Sequence, residues 1–162
     1  MERGRVWKYK DNINTDIITP PESMELDIKG AAKYCMYNLD PTFAANFKKG
    51  DLFVCEHNLG SGSSRETAPL CLKELGVRII IAMDYARIFY RNCINVGIIA
   101  LECPDTDKIS KDDILEVDYT TGVIHNVTTG ETYSCNPIPD HILAIVDKGG
   151  LIPYITDKAG QK

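Results

Sequence analysis

The sequence predicts an α/β fold in a single domain, residues 1–162, with a βαβαβ parallel core followed by a C-terminal β-meander and a closing helix. Three observations predict it. Residues 52–55, 77–82 and 97–101 are short, continuous apolar runs, as expected of parallel strands covered on both faces. The intervals between them, 66–75 and 84–94, have the length and apolar spacing of helices. A chain of 162 residues that is 44% hydrophobic and 25% charged has the size of one globular domain and can bury most of its surface.

Taken in order, residues 3–10 alternate enough to form a short strand. Residues 11–50 hold Asp11-Asn12-Ile13-Asn14-Thr15-Asp16, the pair Pro20-Pro21 and a helical stretch near Asp40-Pro41-Thr42-Phe43. There Asp40 suits a cap and Pro41 the first helical position. A loop is expected between Pro20 and Asp40. In the second core helix Tyr85, Ile88, Phe89 and Asn92 or Cys93 recur at helical spacing, which assigns the aromatic residues to the core rather than to a stacking platform. Residues 113–135 read as a strand pair or meander with turns at Thr121-Gly122 and Thr129-Gly130. Pro139-Asp140 opens a last helix carrying Ile142, Leu143, Ile145 and Val146, and Gly149-Gly150 closes it. The polar tail from Pro153 is expected to fray.

The charge balance narrows the function. With 18 Lys and Arg against 23 Asp and Glu, the net charge is −5, which offers no basic face for nucleic acid or anionic lipid. The N-terminal segment Met1–Lys10 is charged and lacks an apolar centre, and no later apolar run approaches membrane-spanning length. A cytoplasmic protein without a membrane partner is expected. The six cysteines, Cys35, Cys55, Cys71, Cys93, Cys103 and Cys135, are spread evenly with no C-x-x-C pair, a pattern that argues against zinc and against a self-contained iron–sulfur ligand set. Reduced thiols packed as small hydrophobes are expected, and no metal ligands.

The chemistry concentrates in the loop after the first core strand, Glu56-His57-Asn58-Leu59-Gly60-Ser61-Gly62-Ser63-Ser64-Arg65-Glu66-Thr67-Ala68-Pro69. In open α/β sheets ligands bind where a strand turns into a helix at its C-terminal end. A glycine-rich turn there lets backbone N–H groups approach an anion, and the helix dipole favours it. The segment lacks the Gly-Lys-Ser/Thr of a P-loop, the third glycine of a dinucleotide fingerprint and the G-x-S-x-G of a hydrolase elbow. Two readings remain for Ser63. Ser63-x-x-Glu66 fits a capping box, in which the hydroxyl only satisfies helix N–H groups. Pro69, however, moves the expected helix start to about Arg65–Thr67 and leaves both serines at or outside its mouth. A serine alkoxide ringed by N–H donors there is stabilised, so Ser63 can act as a base. The planar fork of Arg65 matches a carboxylate in two-point fashion. A serine base beside an arginine clamp suggests proton abstraction next to a carboxylate. His57, a lone histidine at the strand end, reads as a hydrogen-bonded structural residue.

These residues carry a resemblance. Gly60-Ser61-Gly62-Ser63-Ser64-Arg65-Glu66 with Ala68-Pro69, then Tyr85-Ala86-Arg87-Ile88-Phe89-Tyr90-Arg91-Asn92 and Asn95-x-Gly97, preceded by Asp11–Pro20, resemble in order the swivelling domain of the aconitase superfamily. As a separate chain of this length it is similar to the family of isopropylmalate dehydratase small subunits and to those of dimethylmalate dehydratase and homoaconitase. The resemblance implies a swivelling β/β/α domain and a hydro-lyase subunit active only with a large subunit. It implies Ser63 as the base, and Ser64, Arg65 and Asp16 as substrate contacts. It also implies a [4Fe-4S] cluster held by the partner rather than by this chain. Two departures stand out. Thr67 replaces the usual histidine, which is expected to alter a structural hydrogen bond more than the chemistry. The substrate-reading loop is Pro21-Glu22-Ser23-Met24-Glu25-Leu26, so substrate identity does not transfer directly.

Within that loop Ser23, Met24, Glu25 and Leu26 are the specificity candidates. Glu22 and Glu25 would repel a third carboxylate, whereas Met24 and Leu26 can cover a methyl or isopropyl group, and no arginine lies between Arg5 and Arg65. The expectation is a branched malate, isopropylmalate first and dimethylmalate or a methyl-substituted malate second. A non-catalytic carboxylate-binding regulatory module is the reading from another class, and a co-purifying cluster-bearing chain would discriminate against it.

Overall fold

The N-terminal strand organises the sheet. In the computed structural model, which describes residues 1–160, β1 (Glu2–Lys8) pairs on its two sides in opposite senses. Val6–Lys8 lie parallel to β2 (Leu52–Val54), while Glu2–Arg5 lie antiparallel to β5 (Ile114–Asp118). Beyond β2 come β3 (Ile79–Ala82) and β4 (Ile99–Glu102), all parallel. Beyond β5 come β6 (Val123–Asn126) and β7 (Thr132–Ser134), an antiparallel meander. The order is therefore β4-β3-β2-β1-β5-β6-β7 in one seven-stranded sheet. Burial follows from this: β2 and β3 are covered throughout, while β5 alternates between buried and half-buried residues. The expected parallel core and meander are both present, and β1 joins them.

Between β1 and β2 the chain makes three short helices. α1 (Thr15–Ile18) is capped by Asn14, whose Oδ1 accepts from Ile17 N–H at 2.9 Å. The expected loop from Pro20 to Asp40 instead holds a 3-10 turn at Pro21–Ser23 and α2 (Ile28–Ala32), capped by Asp27. α2 has only five residues, too few for periodicity, and its buried Ala31 and Ala32 are small enough to lie close to the core. The helix expected to start at Asp40-Pro41 begins later, as α3 (Phe43–Asn46). Asp40 Oδ1 nonetheless makes a cap-type bond, accepting from Thr42 N–H at 3.1 Å and Thr42 Oγ1–H at 2.6 Å, while Oδ2 accepts from Tyr9 O–H at 2.8 Å. Phe43 is fully buried and sits 5.2–5.9 Å from the rings of Trp7, Tyr9, Phe47 and Phe53.

α4 (Thr67–Leu75) and α5 (Arg87–Asn95) are the crossovers of the parallel half. Tyr85 precedes α5, with its hydroxyl 2.7 Å from Leu101 O, and Phe89, Asn92 and Cys93 are buried. Ile88 departs from the expected apolar face: it is 48% exposed, because Phe89 and Cys93 already fill the side facing the sheet. α6 (Asp140–Asp147) follows the meander, and the tail expected to fray forms α7 (Leu151–Gly160). Pro153 is the third residue of α7, where its missing N–H would have no intrahelical partner anyway. Lys148 Nζ reaches Asp157 Oδ2 at 2.8 Å and ties α7 to the preceding turn. All six cysteines are free and buried, and among the described residues no helix is long and apolar enough to cross a membrane.

Candidate functional site

The loop from Cys55 to Glu66 lies at the C-terminal end of the parallel strands, alongside the segment that follows β1. Three backbone bonds align them: Asn12 N–H to His57 O at 2.9 Å, Gly60 N–H to Ile13 O at 2.7 Å, and Thr15 N–H to Ser61 O at 2.9 Å. The loop is held this close by glycine. Gly60 has φ +87°, and a Cβ there would stand 2.0 Å from Phe89 Cγ, so any side chain would collide with α5. Gly62 has φ +111° and a Cβ would meet Thr15 Oγ1 at 3.0 Å.

Ser63 lies four residues ahead of α4, is exposed, and does not cap the helix. α4 begins at Thr67 with Glu66 at its N-cap and no side-chain cap bond, as Pro69 requires, so the capping-box reading is set aside. Two contacts place Ser63 instead. Its N–H donates to Thr15 Oγ1 at 3.0 Å, and its Oγ accepts the Arg65 N–H at 3.2 Å. A backbone donor therefore already points at the oxygen that would carry alkoxide charge. On the far side of the loop Asn92 Nδ2–H donates to Ser64 O at 3.0 Å.

Around Ser63 a small cleft is lined by Thr15, Asp16, Thr19, Met24, Arg65, Thr67 and Ala68. It brings together Ser63, Arg65, Asp16 and Met24, which are far apart in sequence. Arg65 is exposed and enters no ion pair among the described residues, so its guanidinium fork is available to an anion. Asp16 is exposed in the first turn of α1. Ser64 is exposed beside them but does not line the cleft.

The four candidates of the 23–26 segment separate. Met24 faces the Ser63 cleft. Ser23 is buried and its Oγ–H donates to Pro20 O at 2.7 Å, which closes the 3-10 turn. Leu26, together with Ser23, lines a neighbouring pocket with Pro20, Glu22, Tyr34, Tyr37 and Asn38. Glu25 is exposed and lines neither. Thr15 and Thr19 are site residues that sequence reasoning did not single out; the one available signal was their place in the motif from Asp11 to Pro20.

His57 has a structural network of its own. Its Nδ1 lies 2.6 Å from Asp84 Oδ2, its N–H donates to Asp11 Oδ1 at 2.8 Å, and Asn58 N–H donates to Asp84 Oδ1 at 2.5 Å. These bonds tie the ends of β1, β2 and β3 together. The hydrogen bond to Asp84 holds the imidazole pKa above its ordinary value and, reciprocally, the Asp84 carboxyl below the usual range. His57 does not line the Ser63 cleft.

Metal donors do not converge. Among the described residues no group of three or more His, Cys, Asp or Glu side chains could hold an ion. Burial also pushes the Cys55 and Cys93 thiols well above their ordinary range, which disfavours the thiolate that iron requires.

Comparison with known proteins places the chain in a family. The model of the aconitase C-terminal domain matches residues 23–106. The 3-isopropylmalate dehydratase small subunit of Methanosarcina mazei is 50% identical over 153 residues, 94% of each chain. A small subunit of the same description from Archaeoglobus fulgidus is 50% identical over 152 residues, 93% of this chain and 94% of the relative. A crystal structure of 3-isopropylmalate dehydratase from Methanocaldococcus jannaschii superposes with a TM-score of 0.91 at 36% identity, covering 97% of this chain and 94% of that one.

Proposed function

Because the chain belongs to the family of 3-isopropylmalate dehydratase small subunits, built on the aconitase C-terminal domain, we propose that it supplies the base and the carboxylate clamp of a two-subunit hydro-lyase interconverting 2- and 3-isopropylmalate. The observation that carries the site assignment is one cleft holding Ser63, Arg65, Asp16 and Met24, with the Arg65 N–H directed at Ser63 Oγ. Ser63 Oγ takes the proton from the carbon next to a substrate carboxylate, and the Arg65 N–H stabilises the alkoxide that does so. The Arg65 guanidinium holds that carboxylate through two parallel hydrogen bonds, and Ser64 adds a hydroxyl contact. Asp16, across the cleft, offers an acceptor to the substrate's hydroxyl. Loss of water gives an unsaturated acid, and readdition at the neighbouring carbon gives the isomer.

Among the described residues no donor set fits a cluster, and none of these steps runs through one. A [4Fe-4S] cluster on the large subunit would supply the Lewis acid for the departing hydroxyl. The small-subunit family implies a large-subunit partner, which in this proposal carries the cluster, and the ligand is a small dicarboxylate.

Met24 supports a branched substrate. It alone of the 23–26 segment reaches the cleft, and its thioether chain can cover an isopropyl group. A third carboxylate in that place would lie desolvated beside an apolar chain.

The test is Ser63→Ala in the complex reconstituted anaerobically with the large subunit. Turnover should fall by about two to four orders of magnitude, the usual contribution of a positioned base, while stability changes by about 1 kcal/mol or less, since a single exposed hydrogen bond is lost. A loss of only a few-fold would remove Ser63 from the base role. A substrate panel comparing kcat/KM for branched malates with citrate and homocitrate tests the specificity, and a preference for either tricarboxylate would overturn it.

A further inference from the structure

We infer that Asn92 is a positioning residue for the base, acting through the Ser64–Arg65 peptide; this rests on the assignment of Ser63 above. Asn92 lies on α5, 9% exposed, in the row of residues that packs beneath the loop, with Phe89 under Gly60 and Asn92 under Ser64. Its carboxamide donates to the Ser64 carbonyl at 3.0 Å. No other side chain among the described residues bonds that carbonyl.

The consequence follows from peptide geometry. In a planar trans peptide the C=O of one residue and the N–H of the next point in opposite directions. Holding Ser64 O toward α5 therefore turns the Arg65 N–H away from α5, onto the side where Ser63 Oγ accepts it at 3.2 Å. The loop from Ser63 to Glu66 is exposed and precedes the helix, so helical bonding does not hold this peptide plane. Thr15 fixes the N–H of Ser63 from one side, and Asn92 fixes the next peptide from the other. Without the carboxamide the plane can rotate, the donor leaves Oγ, and the alkoxide becomes harder to form. Asn92 touches neither substrate nor reacting atoms; it sets the basicity of Ser63.

The experiment uses the reconstituted two-subunit enzyme with Asn92→Asp, Asn92→Ser and Asn92→Gln, beside Ser63→Ala. Asn92→Asp keeps the shape but can only accept, Asn92→Ser is too short to reach, and Asn92→Gln retains a donor. For Asn92→Asp and Asn92→Ser, kcat should fall by about tenfold or more, up to the roughly hundred- to thousandfold seen when such a donor is deleted outright, with KM little changed. The acid limb of the pH–kcat profile should move to higher pH, because the serine is a poorer alkoxide former. Asn92→Gln should recover part of both effects. In the full chain alone, Arg65 amide exchange measured by NMR should quicken in Asn92→Ser.

An unchanged pH profile and kcat in the folded variants, with only thermal stability lowered, would reduce Asn92 to packing and overturn the inference. If Asn92→Asp does not fold, Asn92→Ser decides by the same two readouts. Should Ser63→Ala itself remain active, the base assignment fails first; Ser63→Ala inactive with Asn92 variants unaltered leaves that assignment standing and sinks this one alone.

Discussion

Gly60→Ala gives a sharp measure of how the loop is held against the core. Two separate penalties apply. Gly60 has φ +87°, where an L-residue costs about 1–2 kcal/mol. The new Cβ would also stand 2.0 Å from Phe89 Cγ and 2.4 Å from its Cβ and Cδ1, and Phe89, 2% exposed, has no open side to move into. Overpacking of this kind costs about 1–3 kcal/mol, for a total of about 2–5 kcal/mol. The control is Gly130→Ala: φ is +80° and nothing lies within 4 Å of the added methyl, so only the first penalty applies, about 1–2 kcal/mol. Urea unfolding of the chain, followed by circular dichroism, measures both against wild type. Gly60→Ala should be the more destabilised by at least about 1 kcal/mol, with its m-value unchanged. Phe89→Ala in the Gly60→Ala background should cost less than the sum of the two single changes, because the ring atoms that the new methyl would meet at 2.0 and 2.4 Å are gone. Equal losses at Gly60 and Gly130 would refute the claim that the loop and α5 are in hard contact.

The other expectations use the remaining parts of the site. Arg65→Lys keeps the charge and loses the fork, so kcat/KM of the complex should drop by about tenfold or more; a near-neutral result would remove Arg65 from the carboxylate clamp. The chain purified anaerobically by itself should be folded yet show neither hydro-lyase activity nor cluster absorbance, and stoichiometric iron and sulfide in it would contradict this. His57 and Asp84 should impart a pH dependence of definite sign. The raised His57 pKa makes its contribution fully present below the unfolded value near 6.5 and lost as pH rises through the folded value. The lowered Asp84 pKa makes its contribution present above about 3.9 and lost as pH falls through the folded value. The pair therefore stabilises most between about pH 4 and 6.5, and Asp84→Asn should flatten the fall in melting temperature above that window. An NMR titration placing His57 at or below its ordinary value would negate the reasoning.

Features that local sequence determines were legible from it. The runs 52–55, 77–82 and 97–101 hold strands β2, β3 and β4 because continuous branched apolar residues suit a sheet covered on both faces. Pro69 located the start of α4, since proline tolerates only the first turn. The glycine-serine-arginine spelling of the loop marked the candidate site, because that combination offers backbone donors, a hydroxyl and a planar cation within a few residues. What long-range packing sets was not legible. The two-sided pairing of β1 depends on partners some 50 and 110 residues away. Asp40 does make the cap-type bond its position suggested, to Thr42 N–H at 3.1 Å, but that its other carboxylate oxygen meets Tyr9, 31 positions away, is set by the fold. Ser23, Met24 and Leu26 read alike as loop residues, yet Met24 faces the cleft while Leu26 and the buried Ser23 line another pocket. The 3-10 turn, closed by the Ser23 Oγ–H bond to Pro20 O, sets those directions. The partner of the Ser64 carbonyl lies 28 residues further on, in a helix whose sequence shows only an apolar face. Periodicity says that Asn92 is turned inward, but only the tertiary fold decides that it meets a peptide rather than a methyl group.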